Sequence, residues 1–474
     1  MSNSINATSA WFPLVAHKVA RRTFDLSTGL NYVSIKDQVV RACALVDSLH
    51  AAEKLKQQPG LPVPPEYDLV VIGAGAAGVT AAWRAVQLGA RVLVVESSDR
   101  PFSVQRNCRH RHVSLSMYDW PEVFADAGAF PSLGDQPVRS TAPVIHATNS
   151  FPCVASTWAP QYAYKLVEEW DEQLDVHPIG CAWKFNTRAS PAHENGSEIL
   201  SDGSGVVQVE LAEEGKSPES VYPLNVILAT GIGHERALPD SVFQSTPFWC
   251  DDSRAPWASS IDPNGKTVVI SGSGDGAIQD VLKSLLLAGN GDLIPIAEAL
   301  FTKKQLPVIK AKLQAIERHA ERQLLWGVSD HDVYRAMQAA YDVIVLGIST
   351  RSIKQWRRKY LRPDGPSLEW VMLEARLFTK TYPLNRLLAS VLLRPEFDSR
   401  MSFSEGKIKS VIEESSSPPV WTCTLEDGTK LDSHYPPMLR HGIDAAVSEY
   451  QEGDLKTLRA AISRAPVPFK PFDF

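Results

Sequence analysis

Residues 68–96 read DLVVIGAGAAGVTAAWRAVQLGARVLVVE, and they hold the densest pattern in the chain. Leu69–Ile72 is an apolar run rich in β-branched residues, and it leads directly into a glycine turn with G-x-G-x-x-G spacing. A helical segment follows, and Arg91–Val95 predicts a second buried strand. Glu96 closes the stretch and can accept hydrogen bonds from ribose hydroxyls. This order within about 30 residues predicts an α/β, Rossmann-like dinucleotide-binding unit.

The three glycines of the turn have different tasks. Gly73 lets the chain turn sharply out of the strand, and Gly75 has no Cβ, so a diphosphate can approach the backbone. Gly78 lets the helix pack closely on the strand. The helix start, with Ala76 and Ala77, presents backbone N–H groups and partial positive charge to phosphate oxygens. We therefore predict that these residues bind the diphosphate of a dinucleotide.

Composition limits what else the chain can be. It has 474 residues, 44% hydrophobic and 22% charged, a net charge of −6 and a pI near 6.1. The negative charge disfavours a nucleic-acid binder or a protein bound to anionic membranes, and no apolar run is long enough to span a bilayer. Six scattered cysteines without a C-x-x-C pair favour reduced thiols and a cytoplasmic location, and no metal-ligand cluster stands out.

The unit at 68–96 resembles the FAD-binding start of the two-dinucleotide-binding-domain FAD/NAD(P) flavoproteins, a superfamily that includes the flavin-containing monooxygenases and the pyridine nucleotide oxidoreductases. NAD dehydrogenases share the glycine triplet, so two later features are needed to favour FAD. The first is Ala229-Thr230-Gly231, which directly follows an apolar run. It resembles the second FAD motif of these proteins, which makes Thr230 and Gly231 cofactor-binding candidates.

The second feature is another glycine loop about 200 residues after the first. Gly272, Gly274 and Ala277 repeat the pattern, and the resemblance implies a nicotinamide nucleotide, NAD(P)H, as a possible second ligand near Gly272, Gly274, Asp275 and Gly276. Asp275 at the helix start could cap the helix, but it would repel a diphosphate unless its side chain turns away.

The sequence does not decide between NAD and NADP as the nicotinamide nucleotide. A strand is predicted over Asp292–Ile296, and Glu298 follows it. That glutamate would favour NAD, whereas Lys303 and Lys304, which come next, would permit NADP.

The segment after Glu96 is basic and aromatic and does not resemble core sequence. In the resembled proteins this segment runs towards the flavin. Arg106 could neutralise an FAD phosphate. No catalytic residue is identified, and the candidates are Arg109, His110, His112, Tyr118 and Asp119. The alternative is a solvated basic loop.

The predicted domains are a helical extension and linker at 1–65, an FAD-binding domain at 66–235, a second dinucleotide-binding domain at 262–445 and a tail at 446–474. A mostly helical insertion is expected at about 300–395, with one buried strand at Asp342–Ile348. Small antiparallel sheets are expected within 181–225 and 407–431. An amphipathic helix at about 35–56 either packs on the main body or forms a homodimer contact.

The leading hypothesis for function is an FAD-dependent oxidoreductase that accepts hydride from NAD(P)H and acts like a monooxygenase on a small organic substrate. One alternative is an FAD oxidase or dehydrogenase whose second glycine loop is only structural. Another is a non-catalytic dinucleotide-binding or sensing protein, because the third FAD motif of the resembled proteins is not evident.

Overall fold

The structure is a computed structural model, and it describes residues 13–14, 17–20, 22–26, 34–56, 65–113, 117, 120–121, 160–176, 178–191, 193–194, 198–199, 207–231, 234–238, 243–250, 255–257, 265–287, 291–325, 327–374, 377–378, 381–394, 400–414 and 417–444. Its helices are α1 (Ile35–Ala51), α2 (Ala76–Gln87), α3 (Ser103–Arg106), α4 (Ala163–Val176), α5 (Asp275–Leu285), α6 (Leu293–Glu298), α7 (Leu306–Leu325), α8 (Asp330–Leu346), α9 (Thr350–Tyr360) and α10 (Pro383–Leu392).

The strands, in chain order, are β1 (Lys18–Ala20), β2 (Thr23–Asp25), β3 (Leu69–Ile72), β4 (Val92–Val95), β5 (His112–Val113), β6 (Gln161–Tyr162), β7 (Ala182–Lys184), β8 (Thr187–Pro191), β9 (His193–Glu194), β10 (Glu198–Ile199), β11 (Val209–Glu213), β12 (Glu219–Val221), β13 (Asn225–Leu228), β14 (His234–Glu235), β15 (Thr267–Ser271), β16 (Ser367–Met372), β17 (Met401–Glu405), β18 (Ile408–Glu414), β19 (Val420–Leu425), β20 (Lys430–Ser433), β21 (Met438–Leu439) and β22 (Ile443–Asp444).

The first sheet has the order β1-β2-β13-β3-β4-β7, and every pairing from β2 to β7 is parallel. All four residues of β3 are buried, as are all four of β4, because helices cover one face and the small antiparallel sheet approaches the other. Apolar strands of this kind are typical of parallel sheets. We call this part of the molecule the first unit.

The second sheet, β17-β16-β15-β21, is entirely parallel. Helix α5 follows β15, and α10 follows β16. An apolar core lies between this sheet and α5, α6, α8, α9 and α10. We call this part the second unit. The predicted α/β fold with two Rossmann-like units is confirmed, and so are the small antiparallel sheets β12-β11-β8 and β18-β19-β20.

Two predicted strands of the second unit are wrong. Asp292–Ile296 lies mainly in helix α6, where the Asp292 carboxylate accepts the N–H of Ile294 at 3.1 Å and so caps the helix. The run Asp342–Ile348 is mostly the last turn of α8, with Val343 exposed on the outer side. Short apolar runs fit either a strand or a half-buried helix, and periodicity alone does not separate them.

Several strands were not predicted, among them β1, β2 and β16. β16 lies inside the block expected to be mostly helical, and it is the second strand of the second unit. β1 and β2 extend the edge of the first sheet from the predicted helical extension. Helix α1 packs on α2, with Asp47 and Arg84 joined at 2.6 Å, so its apolar face is covered within the chain. Among the described residues, no helix is long and apolar enough to cross a membrane.

Candidate functional site

Three loops of the first unit meet at the carboxyl ends of neighbouring parallel strands. Gly73 follows β3 and donates its N–H to Val95 O at 2.8 Å, while Ala229 follows β13 and donates to Ile72 O at 2.7 Å. Glu96 follows β4. The topology therefore brings the predicted glycine loop, the predicted acid and the Ala229-Thr230-Gly231 turn to one edge, which is where open α/β sheets bind ligands.

The glycine loop has the packing that its sequence predicts. Gly73 has φ +102°, and a Cβ there would overlap the carbonyl of Ala229; a Cβ on Gly78 would overlap the carbonyl of Gly73. These two glycines are required by close backbone approach. A Cβ on Gly75, in contrast, would meet no described atom within 4 Å. The backbone at Gly75 therefore faces open space, which is the property that a bound diphosphate needs.

Glu96 connects the first glycine loop with the end of β4 through hydrogen bonds. One carboxylate oxygen accepts the N–H of Ala74 at 2.7 Å, and the other accepts the N–H of Ser98 at 2.8 Å and the hydroxyl of Ser97 at 3.1 Å. The residue is only 8% exposed. A carboxylate has about four acceptor positions, so these contacts leave capacity for a ribose hydroxyl.

These features fit the adenosine diphosphate part of FAD. Helix α2 begins at the N-cap Gly75, which has no side chain to cap it, and a helix start is a favourable place for a phosphate group. Ala76 and Ala77 lie in this first turn and are partly exposed, and Thr230 and Gly231 are exposed at the same edge. The cofactor-binding candidates of the first loop are thus brought together, with one exception.

The exception is Arg106, which the structure places in an ion pair within the first unit. Its guanidinium contacts the Asp171 carboxylate of α4 at 2.5 and 2.9 Å and donates to the Pro101 carbonyl at 3.0 Å. The Arg106 guanidinium is therefore already paired, and a phosphate would have to compete with the Asp171 carboxylate for it.

The catalytic candidates after Glu96 have different environments. Arg109 is exposed and His110 is partly exposed. The ring of His112 packs on Tyr162, with centroids 4.1 Å apart, and also against Gly291. Burial, aided by the charge of Lys283, lowers the pKa of His112 to about 4. His112 is therefore a neutral packing residue near pH 7. Tyr118 and Asp119 lie outside the described residues.

The second glycine loop is built like the first. Gly272 donates its N–H to Val371 O at 2.9 Å, and Arg440 donates to Ser271 O at 2.7 Å. Gly272 has φ +129°, and a Cβ there would overlap the carbonyl of Arg440. Residue by residue, Gly272 corresponds to Gly73 and Arg440 corresponds to Ala229.

Two positions differ between the units. The residue that corresponds to Glu96, one past the strand residue that accepts the glycine N–H, is Met372, which is fully buried in the second core. Arg440 replaces the small Ala229, and its side chain lies over the start of α5. A Cβ on Gly276 would be 3.4 Å from Arg440 Cδ and 3.5 Å from the Phe248 ring. Arg440 and Phe248 thus lie close to the first turn of α5.

Asp275 turns away from the second loop. Its carboxylate accepts the N–H of Tyr382 at 3.0 Å and the side-chain amide of Asn385 at 2.7 Å, both at the start of α10. It therefore caps α10 and not its own helix, whose N-cap Gly274 has no side-chain cap among the described residues. Burial raises the pKa of Asp275 to about 7, against the lowering effect of these hydrogen bonds.

The residues expected to select the nicotinamide nucleotide do not lie at a strand end. Glu298 ends helix α6 and pairs with Lys310 at 2.8 Å, and it accepts the indole N–H of Trp120 at 3.1 Å. Lys303 and Lys304 are exposed beyond that helix. The expectation that these residues follow the second strand of the unit is wrong, because that strand is β16.

Three buried residues of this region were missed by sequence reasoning. Asp280 of α5 contacts Arg111 at 2.6 Å and Arg440 at 2.8 Å. The partners are 169 and 160 residues away from Asp280 in the chain, so no local pattern could have joined them. The available signals were weak: Arg111 stands in the basic segment, and Arg440 stands where a small residue was expected.

Comparison with protein families finds a match over the first unit. Residues 68–200 match the family model described as "DAO: FAD dependent oxidoreductase". The predicted family, FAD-dependent oxidoreductases, is confirmed by this match over the part of the chain that holds the first glycine loop and Glu96. A search of curated proteins found no match.

Solved structures with a similar arrangement are distant. Bacillithiol disulfide reductase Bdr (YpdA) from Bacillus cereus is 11% identical, with 81% of this chain and 80% of that chain covered and a TM-score of 0.39. Thioredoxin reductase from Lactococcus lactis is 10% identical, with 84% and 96% covered and a TM-score of 0.37. OTEMO in complex with FAD and NADP is 13% identical, with 81% and 72% covered and a TM-score of 0.38. At TM-scores this low, these likenesses carry no argument about mechanism.

Proposed function

We propose that this chain, which carries the family pattern of FAD-dependent oxidoreductases, is an oxidase or dehydrogenase in which a small organic substrate, and not NAD(P)H, reduces the flavin. Among the hypotheses left open by the sequence, this one treats the second glycine loop as structural. The family match supports FAD as the cofactor of the first unit.

The observation that carries the proposal is the difference between the two strand ends. Glu96 holds the first glycine loop through Ala74 and has acceptor capacity left for a ribose. Met372 at the corresponding position of the second unit is apolar and fully buried, so it offers nothing to a ribose hydroxyl. The Arg440 side chain, which lies close to Gly276 in the first turn of α5 where the first unit has only the small Ala229, points the same way.

Each residue of the first unit has a task in this function. Gly75 and the start of α2 would bind the diphosphate, and Glu96 would accept hydrogen bonds from the adenosine ribose. Bound FAD supplies the acceptor for a hydride from a C–H bond of the substrate. Arg109, which is exposed in the segment after Glu96, is a candidate for holding an anionic group of that substrate.

Anaerobic bleaching of the bound flavin tests this function. Purified protein would be mixed with NADH, with NADPH, and with a panel of amines, amino acids, alcohols and hydroxy acids. We expect an organic compound of the panel to bleach the flavin, and neither nicotinamide nucleotide to do so at rates of enzyme turnover, roughly 1 per second or more. Rapid bleaching by NADH or NADPH would overturn the proposal.

One observation favours the second candidate, an NAD(P)H-dependent, monooxygenase-like enzyme. Asp275 is committed to Tyr382 and Asn385, so the carboxylate that would have repelled a diphosphate is directed away from the loop. This candidate requires Arg440 to move off the start of α5, and it predicts the rapid bleaching by a nicotinamide nucleotide that the first candidate excludes.

A further inference from the structure

Four charged side chains, the buried Asp280, Arg111 and Arg440 and the partly buried Glu235, form a cluster between the two units. Asp280 of α5 has no exposed surface, and its two carboxylate oxygens take different partners. Oδ1 accepts from Arg111 Nη1 at 2.6 Å, and Oδ2 accepts from Arg440 Nε at 2.8 Å. Arg440 Nη1 also donates to Glu235 at 2.6 Å and to the Thr246 carbonyl at 2.7 Å.

The formal charges of the four side chains balance. Two guanidinium groups face two carboxylates, and the ring of Phe248 lies 3.9 Å from the Arg111 guanidinium carbon. The backbone N–H of Phe248 donates to the other oxygen of Glu235 at 2.5 Å. Burial raises the pKa of Asp280, but the two arginines outweigh it and hold the pKa below its usual range. The carboxylate is therefore ionised.

The members come from segments that adjoin the two glycine loops. Phe102 donates its N–H to the Ala74 carbonyl of the first loop at 3.0 Å, and Arg111 follows in the same segment. Arg440 lies directly on Gly272 of the second loop. Asp280 thus connects the segment that contacts the first loop with the residue that lies on the second loop.

We propose that Asp280 locks the second unit onto the first in a single orientation by holding Arg111, and that Arg440 keeps the Asp280 carboxylate in place. A buried ion cluster adds little net stability compared with apolar packing, but it accepts only one geometry, and loss of one partner leaves a buried charge uncompensated. This proposal does not depend on which compound reduces the flavin.

The test replaces the arginine of the first unit. Arg111→Met keeps the length and the contact with the Phe248 ring but removes the charge, and Asp280 retains Arg440. In the full chain as purified, we expect backbone amides of residues 102–113 to exchange hydrogen roughly tenfold faster or more, with β3 and β4 unchanged. We also expect the wild type to unfold in a single transition and Arg111→Met to unfold in two.

Arg106→Met is the matched control. It removes an arginine of the same segment that pairs with Asp171 inside the first unit, and so breaks an ion pair without crossing between units. This variant should therefore unfold in one transition, as we expect of the wild type. Arg111→Lys restores a cation, so its amide exchange at residues 102–113 and its unfolding should be close to those of the wild type.

Two results would overturn the proposal. One is an Arg111→Met protein with the exchange pattern and single transition of the wild type. The other is an equal effect of Arg106→Met, which would show a local loss of stability only. Asp280→Asn provides a second, nearly isosteric variant: if it folds, it must loosen residues 102–113 as Arg111→Met does; if it does not fold, the arginine variants decide alone.

Discussion

At the scale of single residues, the two glycine units differ at the positions that would touch a nucleotide. The position of Glu96 at a strand end could be predicted from the sequence, because the strand before it is evident. Met372 could not be compared with it, because β16 was hidden in a block expected to be helical. Ala229 and Arg440 show the same limit, since only the sheet register reveals that they occupy equivalent places.

Glu96→Ala should weaken FAD binding by roughly ten- to a hundredfold, since a hydrogen bond to a charged group contributes about 1.5–3 kcal/mol. The structure adds a second consequence. The N–H groups of Ala74 and Ser98 lose their acceptor, so the apoprotein should also lose about 1–3 kcal/mol of unfolding free energy. Fluorescence titration with FAD and urea unfolding of the apoprotein measure the two effects.

Glu96→Gln separates the ribose contact from the loop contact. The amide oxygen can still accept the N–H of Ala74, so the apoprotein should be closer to wild type than Glu96→Ala, while FAD affinity should still fall. An unchanged dissociation constant in both variants would show that Glu96 does not contact the cofactor.

Asp275 should make stability depend on pH. Its folded pKa of about 7 lies above the ordinary value of 3.8, so the folded state holds the proton more tightly than the unfolded state. The contribution of Asp275 to stability is therefore full below about pH 4 and is lost as pH rises towards 7. As pH rises across this window, the free energy of unfolding of Asp275→Asn should increase relative to that of the wild type, by at most about 1.4 kcal/mol per pH unit.

Urea unfolding of both proteins from pH 4 to pH 8 measures this gain. Asp99 provides the control, because it is exposed and its pKa is lowered by a hydrogen bond from Arg100. Asp99→Asn should show no such gain with rising pH. A difference between Asp275→Asn and wild type that stays constant over the whole range would contradict the raised pKa.

At the scale of elements, the chain was predictable where its signals were local. The strand, glycine turn and helix of 69–87 are specified by consecutive residues. Asp292–Ile296 and Asp342–Ile348 were mistaken for strands because each is a short apolar run. Their helical state is decided by the capping of Asp292 and by the continuation of α8.

Gly75→Asp should give folded protein without FAD. Gly75 has φ −74° and ψ −174°, an extended conformation open to any residue, so the backbone is not strained and an aspartate there would cap α2. The new carboxylate would occupy the open space and repel the diphosphate. The absorption spectrum of the purified variant and its circular dichroism measure cofactor loss and folding.

Gly274→Asp is the equivalent change in the second loop, where Gly274 has φ −91° and ψ 179°. It introduces the same side chain at the same helix position, so FAD should remain bound at wild-type stoichiometry. A Gly75→Asp protein that keeps a full complement of flavin would move the FAD site away from the first loop.

At the scale of the whole molecule, the second unit repeats the construction of the first and is joined to it through buried side chains. The sequence predicted that there are two units, because both glycine loops are visible in it. How they meet could not be predicted, since Arg111, Asp280 and Arg440 are far apart in the chain and no local signal shows that they are partners. A repeated unit without a ligand of its own can still serve the first unit as a rigid support.

This arrangement predicts that FAD stabilises both units. A ligand at about 100 times its dissociation constant adds about 2.7 kcal/mol to the unfolding free energy of whatever unfolds together with its site. If the units unfold as one, amides of β15 and α5 should exchange hydrogen more slowly in holoprotein than in apoprotein, by the same factor as those of β3. Gly75→Asp with the same FAD concentration should show no slowing. Slowing confined to 68–113 and 225–231 would mean that the units unfold separately and that the second contributes nothing to holding the cofactor.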